Sequence, residues 1–530
     1  MAYIAPNSTI KLLVDVPLDP NYSDTLWFAS LSDQLTYFNS KVRTSFTAQS
    51  YQRHGNNKCR LNVSADLVDD CNYMMFQNTA FSTKWFFAFI TAVEYINTNV
   101  AEITFEIDQV QTWFFDYTVP SCYVERMHAA TDAIGDNIVP EGVNTGEYIN
   151  NGGWQTIVDY SDSVMALMMS DLTNHGGAFY DNIYGACTIY IYHTTIAGKQ
   201  ALENFITQNA PQFSAIVGIY MLPWKLLPDS VQQNDFTDGD YLVSSQNVIP
   251  KIWTQVPALT GTETLDGYAP KNNKMFTYPY NFLHVTNNQG DGLELRYEFF
   301  KDLKPTFETG GNCSAPVGAI LYPKAYKNSE YGTAGITDFS ESLALANFPM
   351  CSYSLDSYVA WLSQNFIPSM IRMTGGAVGS ITGGNVRGAL SGTISGATEL
   401  LAQGYQASIA GDIVKGNVFN GSTMFANNLM RFWCVRNSVS YEYAKMIDDY
   451  FTAYGYAQHK IMAPNRHVRS RFTYLKTVGC VVKASDPTNS GVPSEALRTI
   501  ESCYNNGIRF WADTVNTGNM SSSYPNNLLT

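Results

Sequence analysis

Two short runs facing each other across an Asn-rich turn constrain this chain more than any other feature. Residues 85–96 read Trp-Phe-Phe-Ala-Phe-Ile-Thr-Ala-Val-Glu-Tyr-Ile, Asn97-Thr98-Asn99 supplies the turn, and Ile103, Phe105 and Ile107 then alternate with Glu102, Thr104 and Glu106. Aromatic and β-branched residues with a period of two make strands, so the pair predicts an antiparallel hairpin with one wet face. Trp113, Phe114, Phe115 and Tyr117 follow directly. Aromatics dominate both cores and subunit contacts, and burial is the stronger reading of that cluster. The first 120 residues read as strands.

Farther along, residues 188–193 (Thr-Ile-Tyr-Ile-Tyr-His) predict a strand, residues 201–208 a short helix, and residues 293–299 alternate again. Pro223, Pro228, Asp238-Gly239-Asp240, Pro257, Pro279 and Asn287-Asn288-Gln289-Gly290 recur as loops between short strands require. Leu355, Tyr358, Val359, Leu362 and Phe366 have helical spacing, with Pro368 as a stop. The fold class is mainly β with α+β insertions. At roughly 150 residues per domain, 530 residues imply several domains. Composition divides the chain into a β-rich part at 1–150, a central α+β part at 151–365, a Gly-rich apolar loop at 366–425 and a C-terminal part at 426–530.

The loop stands apart: residues 374–421 hold 12 of the 38 glycines. Between 374 and 398 Arg387 is the one charge, and small residues recur every fourth place at Gly376, Ser380, Gly384, Gly388, Gly392 and Gly396. On a helix they would form one nearly bare face, with Val378, Ile381, Val386, Leu390 and Ile394 opposite. That spacing lets helices approach closely in a membrane. In water each glycine costs a helix about 1 kcal/mol relative to Ala. In lipid the backbone must satisfy its own hydrogen bonds, and 25 residues at about 1.5 Å each reach across the hydrocarbon core. Two readings stand side by side: a conditional membrane inserter, and a Gly-rich linker or packed loop.

Chemistry is harder to find. There is no Gly-x-Ser-x-Gly, Walker A, His-Glu-x-x-His or Gly-x-Gly-x-x-Gly pattern, so no catalytic residue, metal-ligand set or cofactor is read. The nine cysteines are scattered singly, as buried thiols in a reducing compartment would be. Residues 1–20 lack a basic start followed by an apolar run, so no signal peptide is expected. A net charge of −14 argues against binding nucleic acid by phosphate neutralisation, and charged residues are only 15% of the chain, against about 25% in most soluble domains. Asp235, Asp238 and Asp240 around Gly239 could bind calcium or serve as paired carboxylates, but Asp-Gly more often marks a turn. The basic run with His459, Arg466, His467, Arg469, Arg471 and Lys476 fits phosphate or lipid head groups, or, as the stronger reading, a solvated or ion-paired face of a half-exposed strand.

Several segments carry a resemblance together: Met75-Phe76-Gln77-Asn78, Lys84-Trp85-Phe86, Phe105-Glu106-Ile107-Asp108, Gln111-Thr112-Trp113, Asn272-Asn273-Lys274, Thr277-Tyr278-Pro279-Tyr280, Asp448-Asp449-Tyr450-Phe451 and Gly455-Tyr456. In this order, from near Trp27 to Trp511, the chain resembles the distal tail knob proteins of short-tailed phages of the phi29 group. The Gly-rich segment followed by a helix at Tyr441-Glu-Tyr-Ala-Lys445 belongs to the same pattern.

The resemblance implies a multi-domain tube subunit of β-barrel-like domains, six copies of which form a tube at the distal end of the virion tail. Residues 1–150 and 426–530 would build the tube domain. Six apolar loops would first plug the channel and later form a membrane pore, with Val378, Ile381, Val386, Leu390, Ile394, Leu400 and Leu401 facing lipid. The implied partners are copies of itself, other tail and collar proteins, host membrane lipid, and genomic DNA passing without tight binding. Synthesis would take place in the host cytoplasm, and an acidic wall would suit the passage of DNA. Two other classes stay open: a receptor-binding adhesin, suggested by the aromatic and Asn-rich composition, and a cell-wall hydrolase using Asp238 and Asp240.

Overall fold

The chain opens with β1 (Ser8–Val14), β2 (Asp24–Leu26), helix α1 (Leu31–Ser40), β3 (Val42–Gln49), β4 (Lys58–Leu61), β5 (Cys71–Asn78), β6 (Phe86–Asn97), β7 (Val100–Ile107), the short helix α2 (Gln109–Thr112), β8 (Tyr117–Thr118) and β9 (Cys122–Met127). The computed structural model describes residues 7–49, 57–79, 82–169, 188–208, 216–242, 252–315, 317–327, 341–346, 348, 350–352, 417–419, 430–486, 491–520 and 527–530. Two compact units emerge: unit 1 is Met1–Asn144, Pro270–Lys274 and Glu442–Thr530, and unit 2 is Thr145–Ala269 and Met275–Tyr441.

In unit 1 the alternating runs pair as expected, with Ile90 opposite Phe105 and Val93 opposite Ile103, inside a sheet of order β3-β1-β5-β6-β7-β4. Ile10 and Leu12 from β1 share one core with Cys59 and Leu61 from β4, so the sheet curls around that core as a half-barrel. The wet face is shorter than the alternation predicts. Phe87 and Phe89 on the opposite face pack against Phe38 of α1, Phe472 and Trp511, and only the distal half of β6 is exposed.

Two helices interrupt what reads as continuous strand. Ser30 caps α1 by accepting the Asp33 N–H at 3.2 Å, and Asp108 caps α2 by accepting the Gln111 N–H at 2.9 Å. The aromatic cluster is core: Trp113, Phe114 and Tyr117 are buried beside Ala496, Ile500, Cys503 and Tyr504 of helix Ser494–Asn506, while Phe115 is exposed. The second sheet of unit 1 runs β2, Ile508–Trp511, Phe472–Val478, β9, Tyr456–Met462, and β8 pairs with Lys483–Ala484.

Among the described residues, unit 2 holds three sheets. Strand Arg431–Val439 pairs with Tyr148–Asn150, Gln155–Asp159 and Asn281–Thr286. Ser163–Met169 lies between Thr188–Tyr192 and Ile216–Pro223, and Thr306–Asn312 between Ile252–Gln255 and Gly318–Lys324. The helix expected at 201–208 is longer, Ile196–Gln208. The alternation at 293–299 breaks after strand Gly292–Leu295, and Tyr297–Phe299 forms a 3-10 turn that buries Tyr297. The helix read from Leu355 to Phe366 lies outside the described residues.

Gly455 ends helix Tyr441–Tyr454 with φ +64°, and a Cβ there would stand 2.4 Å from the backbone nitrogen of His128. Gly479 has nearly the same φ, +62°, with open space around it. Gly479→Ala should therefore cost only the left-handed penalty of about 1–2 kcal/mol. Gly455→Ala adds a backbone clash and should cost clearly more in urea denaturation followed by tryptophan fluorescence; equal losses would show that the crowding is irrelevant.

Candidate functional site

Pro270–Lys274 returns to unit 1 without joining a sheet, so side chains must satisfy its polar groups. Helix Tyr441–Tyr454 supplies most of them, because the face that buries Ala444, Ile447 and Phe451 also buries Asp448. The Asp448 carboxylate accepts the backbone N–H groups of Lys271 at 2.8 Å and Asn272 at 3.1 Å, and the Asn272 amide at 2.8 Å. The same amide donates to Thr452 Oγ1 at 2.8 Å.

Lys274 is the charged end of the segment. Its ammonium, almost fully buried, lies 2.6 Å from Glu141 Oε1 and donates to the Val139 carbonyl at 2.8 Å. Glu141 also accepts from Arg126 and from the Ala457 N–H, so a fully buried carboxylate has two cations and an amide. Burial pulls the Lys274 ammonium below the usual lysine range, against the attraction of Glu141. Tyr456 closes the junction by donating to Asp132 Oδ1 at 2.6 Å.

His128 is fixed in one tautomer. Its Nδ1 accepts the Tyr474 N–H at 2.8 Å, which leaves Nε2 to donate to the Thr452 carbonyl at 3.0 Å. Burial pushes the imidazole down to about 3, with Arg469, Arg509 and Arg126 adding to the effect and the Thr452 bond opposing it. A cavity of about 420 Å³ lies beside these groups, walled by His128, Asp132, Asn272, Thr452 and Arg469 among others.

The other sequence candidates fall elsewhere. Asp238 Oδ1 lies 2.9 Å from His193 Nδ1 and Asp235 Oδ1 lies 3.1 Å from Nε2, while Phe236 stacks on the ring at 4.1 Å. Asp240 accepts the Thr237 N–H at 2.9 Å, so all three acids are engaged in the turn or with the imidazole. Among the described residues, no group of three or more His, Cys, Asp or Glu could hold a metal ion. The basic run divides: Lys476 sits on strand Phe472–Val478 with Glu125 at 2.8 Å, an ion-paired strand face, whereas Arg469 and Arg471 precede that strand and are buried, and Arg466 lies over the rings of Phe114 and Tyr117. The described cysteines for which side-chain burial is defined are free, and all but Cys122 are buried.

Every residue read as membrane-active or close-packing (Val378, Ile381, Val386, Leu390, Ile394, Leu400, Leu401; Gly376, Ser380, Gly384, Gly388, Gly392, Gly396) lies outside the described residues. Among those that are described, no helix is long and apolar enough to cross a membrane. Chemical spacing in the sequence missed Asp132, Glu141 and His128. The signal that touched this junction was the set of segments carrying the resemblance, Asn272-Asn273-Lys274, Asp448-Asp449 and Gly455-Tyr456.

Residues 246–527 match the family described as Bacillus phage phi29 tail knob protein gp9, C-terminal domain. The chain belongs to this tail knob family. Residues 6–118 of this tail knob protein also match the caudoviral major tail protein N-terminus. It is 24% identical to tail knob protein gp9 of Bacillus phage PZA, over 98% of this chain and 99% of that protein. It is likewise 24% identical to tail knob protein gp9 of Bacillus phage phi29, with the same coverage of 98% and 99%. The solved structure of the bacteriophage C1 tail knob protein, gp12, shares the fold, with a TM-score of 0.65 at 14% identity over 96% of this chain and 98% of that one. The chain is thus a structural virion component of the tail, and its mainly β fold is that of a tail knob.

Two outcomes test the junction of this tail knob. Lys274→Met removes one of the two cations that meet the buried Glu141 and leaves Arg126 and the Ala457 N–H in place, so the loss should fall below the roughly 3–5 kcal/mol of a buried pair broken outright. Chemical denaturation should register a loss of about 1–3 kcal/mol; a change near zero would mean that Arg126 alone compensates Glu141. For His128, the unfolded chain takes up a proton near 6.5, which the native state refuses until about 3, so the unfolded state binds more protons in between. Stability should therefore fall as pH drops below 6.5. His128→Gln should be less stable at neutral pH and flatter through this acid window in thermal melts.

Proposed function

We propose that six copies of this tail knob chain assemble into the distal tube of the tail, which conducts the genome during ejection. Residues 1–150 and 426–530 build the tube domain, and 151–365 form a central α+β domain. The loop at 366–425 plugs the channel and is then released into the host membrane as a pore. What carries the reading is the match of residues 6–118 to a major tail protein N-terminus, the same stretch that folds into the half-barrel of unit 1. The net charge of −14 supports passage of DNA without tight binding, because a wall rich in Lys and Arg would hold phosphates.

The pore part rests on the sequence of the loop. A glycine-faced segment with Val378, Ile381, Val386, Leu390, Ile394, Leu400 and Leu401 is marginal as a helix in water and gains internal hydrogen bonding in lipid. The partners of the tube are other tail and collar proteins, lipid of the host membrane, and the DNA in transit. Synthesis takes place in the host cytoplasm.

Dye release from liposomes, run beside mass photometry on the same purified protein, tests both parts. A six-subunit particle that releases dye is expected, and deletion of residues 374–398 should leave the particle intact and abolish release. A monomer would overturn the tube, whereas a hexamer that never releases dye would overturn the pore and leave the loop as a stopper.

A further inference from the structure

We propose that the cavity in unit 1 beside Arg469 binds a small oxyanion of the phosphate or carboxylate class. The argument begins with which groups on its wall still have hydrogen-bonding capacity. Asn272 donates to Asp448 and Thr452, Asn273 donates to the Asp132 carbonyl, and Thr452 donates to the Asp448 carbonyl. Asn527 accepts from the Arg471 and Phe472 N–H groups and donates to the Phe472 carbonyl. Both nitrogens of His128 are engaged. These neutral groups are largely engaged.

Two cations are not. Arg469 is buried to within 6% of full burial, its guanidinium reaches Asp132 only at 3.8 Å, and its Nε meets no acceptor among the described residues. Lys271, also on the wall and a quarter exposed, donates one long hydrogen bond to Asp449 at 3.4 Å. A buried donor without an acceptor is destabilising, more so when it is charged. Arg presents planar, forked donors that match a carboxylate or phosphate, and Lys supplies a point charge. A ligand that only accepts, and carries negative charge, fits these two donors. Asp132 also lies at the wall, and Asp448 stands behind it against Asn272. Asp132 Oδ1 accepts from Tyr456 and Asp448 accepts from the returning segment, so neither carboxylate neutralises Arg469 by direct hydrogen bonding.

The test is a thermal-shift and calorimetric titration of the intact protein at neutral pH with inorganic phosphate and, separately, acetate, each against sodium chloride at matched ionic strength. A saturable rise in the unfolding midpoint with either anion is expected. Arg469→Gln should abolish it, and Lys271→Gln should weaken binding by roughly tenfold, the effect of one charge-assisted hydrogen bond. If Arg469→Gln does not fold, Lys271→Gln, at a partly exposed position, decides the question. No shift beyond chloride with either anion would overturn the proposal, because water then suffices for Arg469. A shift that survives Lys271→Gln unchanged would overturn it too, since the anion would be binding elsewhere. Neither result depends on the tube or the pore.

Discussion

A five-residue return of the chain, Pro270–Lys274, sets the terms for unit 1. A segment that enters a folded core outside any sheet brings polar groups that must be met one by one. Asp448 meets the backbone of Lys271 and Asn272, and Glu141 meets Lys274. Both carboxylates are shut off from solvent, a placement that is tolerable only because each is surrounded by donors. The position of helix Tyr441–Tyr454, the turn at Gly455 and the closure of Tyr456 on Asp132 all serve this one junction.

A second polar framework fixes the half-barrel. Gln111 accepts from Gln34 and donates to Thr25 Oγ1 and the Leu26 carbonyl at 2.8 Å, while Asp108 accepts from Tyr73 at 2.9 Å. Burial raises the Asp108 carboxyl to about 6 against the Gln111 and Tyr73 hydrogen bonds. These bonds are directional, so they position β2, α1, β5 and α2 in a way that hydrophobic contact alone does not. The aromatic packing of Phe38 on Tyr73 and Phe87 then fills the space around them.

Connectivity adds a kinetic consequence for a tail knob. β2 runs parallel to Ile508–Trp511, and Trp511 donates to Asp24 at 2.6 Å across almost the whole length of the chain. Unit 1 cannot complete its second sheet until the C-terminal strand exists, whereas unit 2 is built from contiguous stretches apart from the five-residue return. Pairing of such separation carries a high loop-closure cost and is slow. Completion of unit 1 is therefore a late folding step.

The sequence by itself determined the hairpin at β6 and β7, the burial of Trp113, Phe114 and Tyr117, the strand at Thr188–Tyr192 and the mainly β class, because periodicity and side-chain chemistry are local properties. Its quoted segments also carried the tail knob family. Local reading missed α1 and α2, whose caps at Ser30 and Asp108 are single side chains among strand-forming neighbours. It placed Arg469 and Arg471 on a solvated or ion-paired strand face and could not see that they are buried, since a charge run looks the same whether solvent or a distant carboxylate faces it. Only the tertiary structure decided that Asp132, Glu141, Asn272, Asp448 and Tyr456 form one buried junction. Those residues lie far apart in the chain, and no spacing rule can join groups that meet only when two distant strands and a returning segment close on each other.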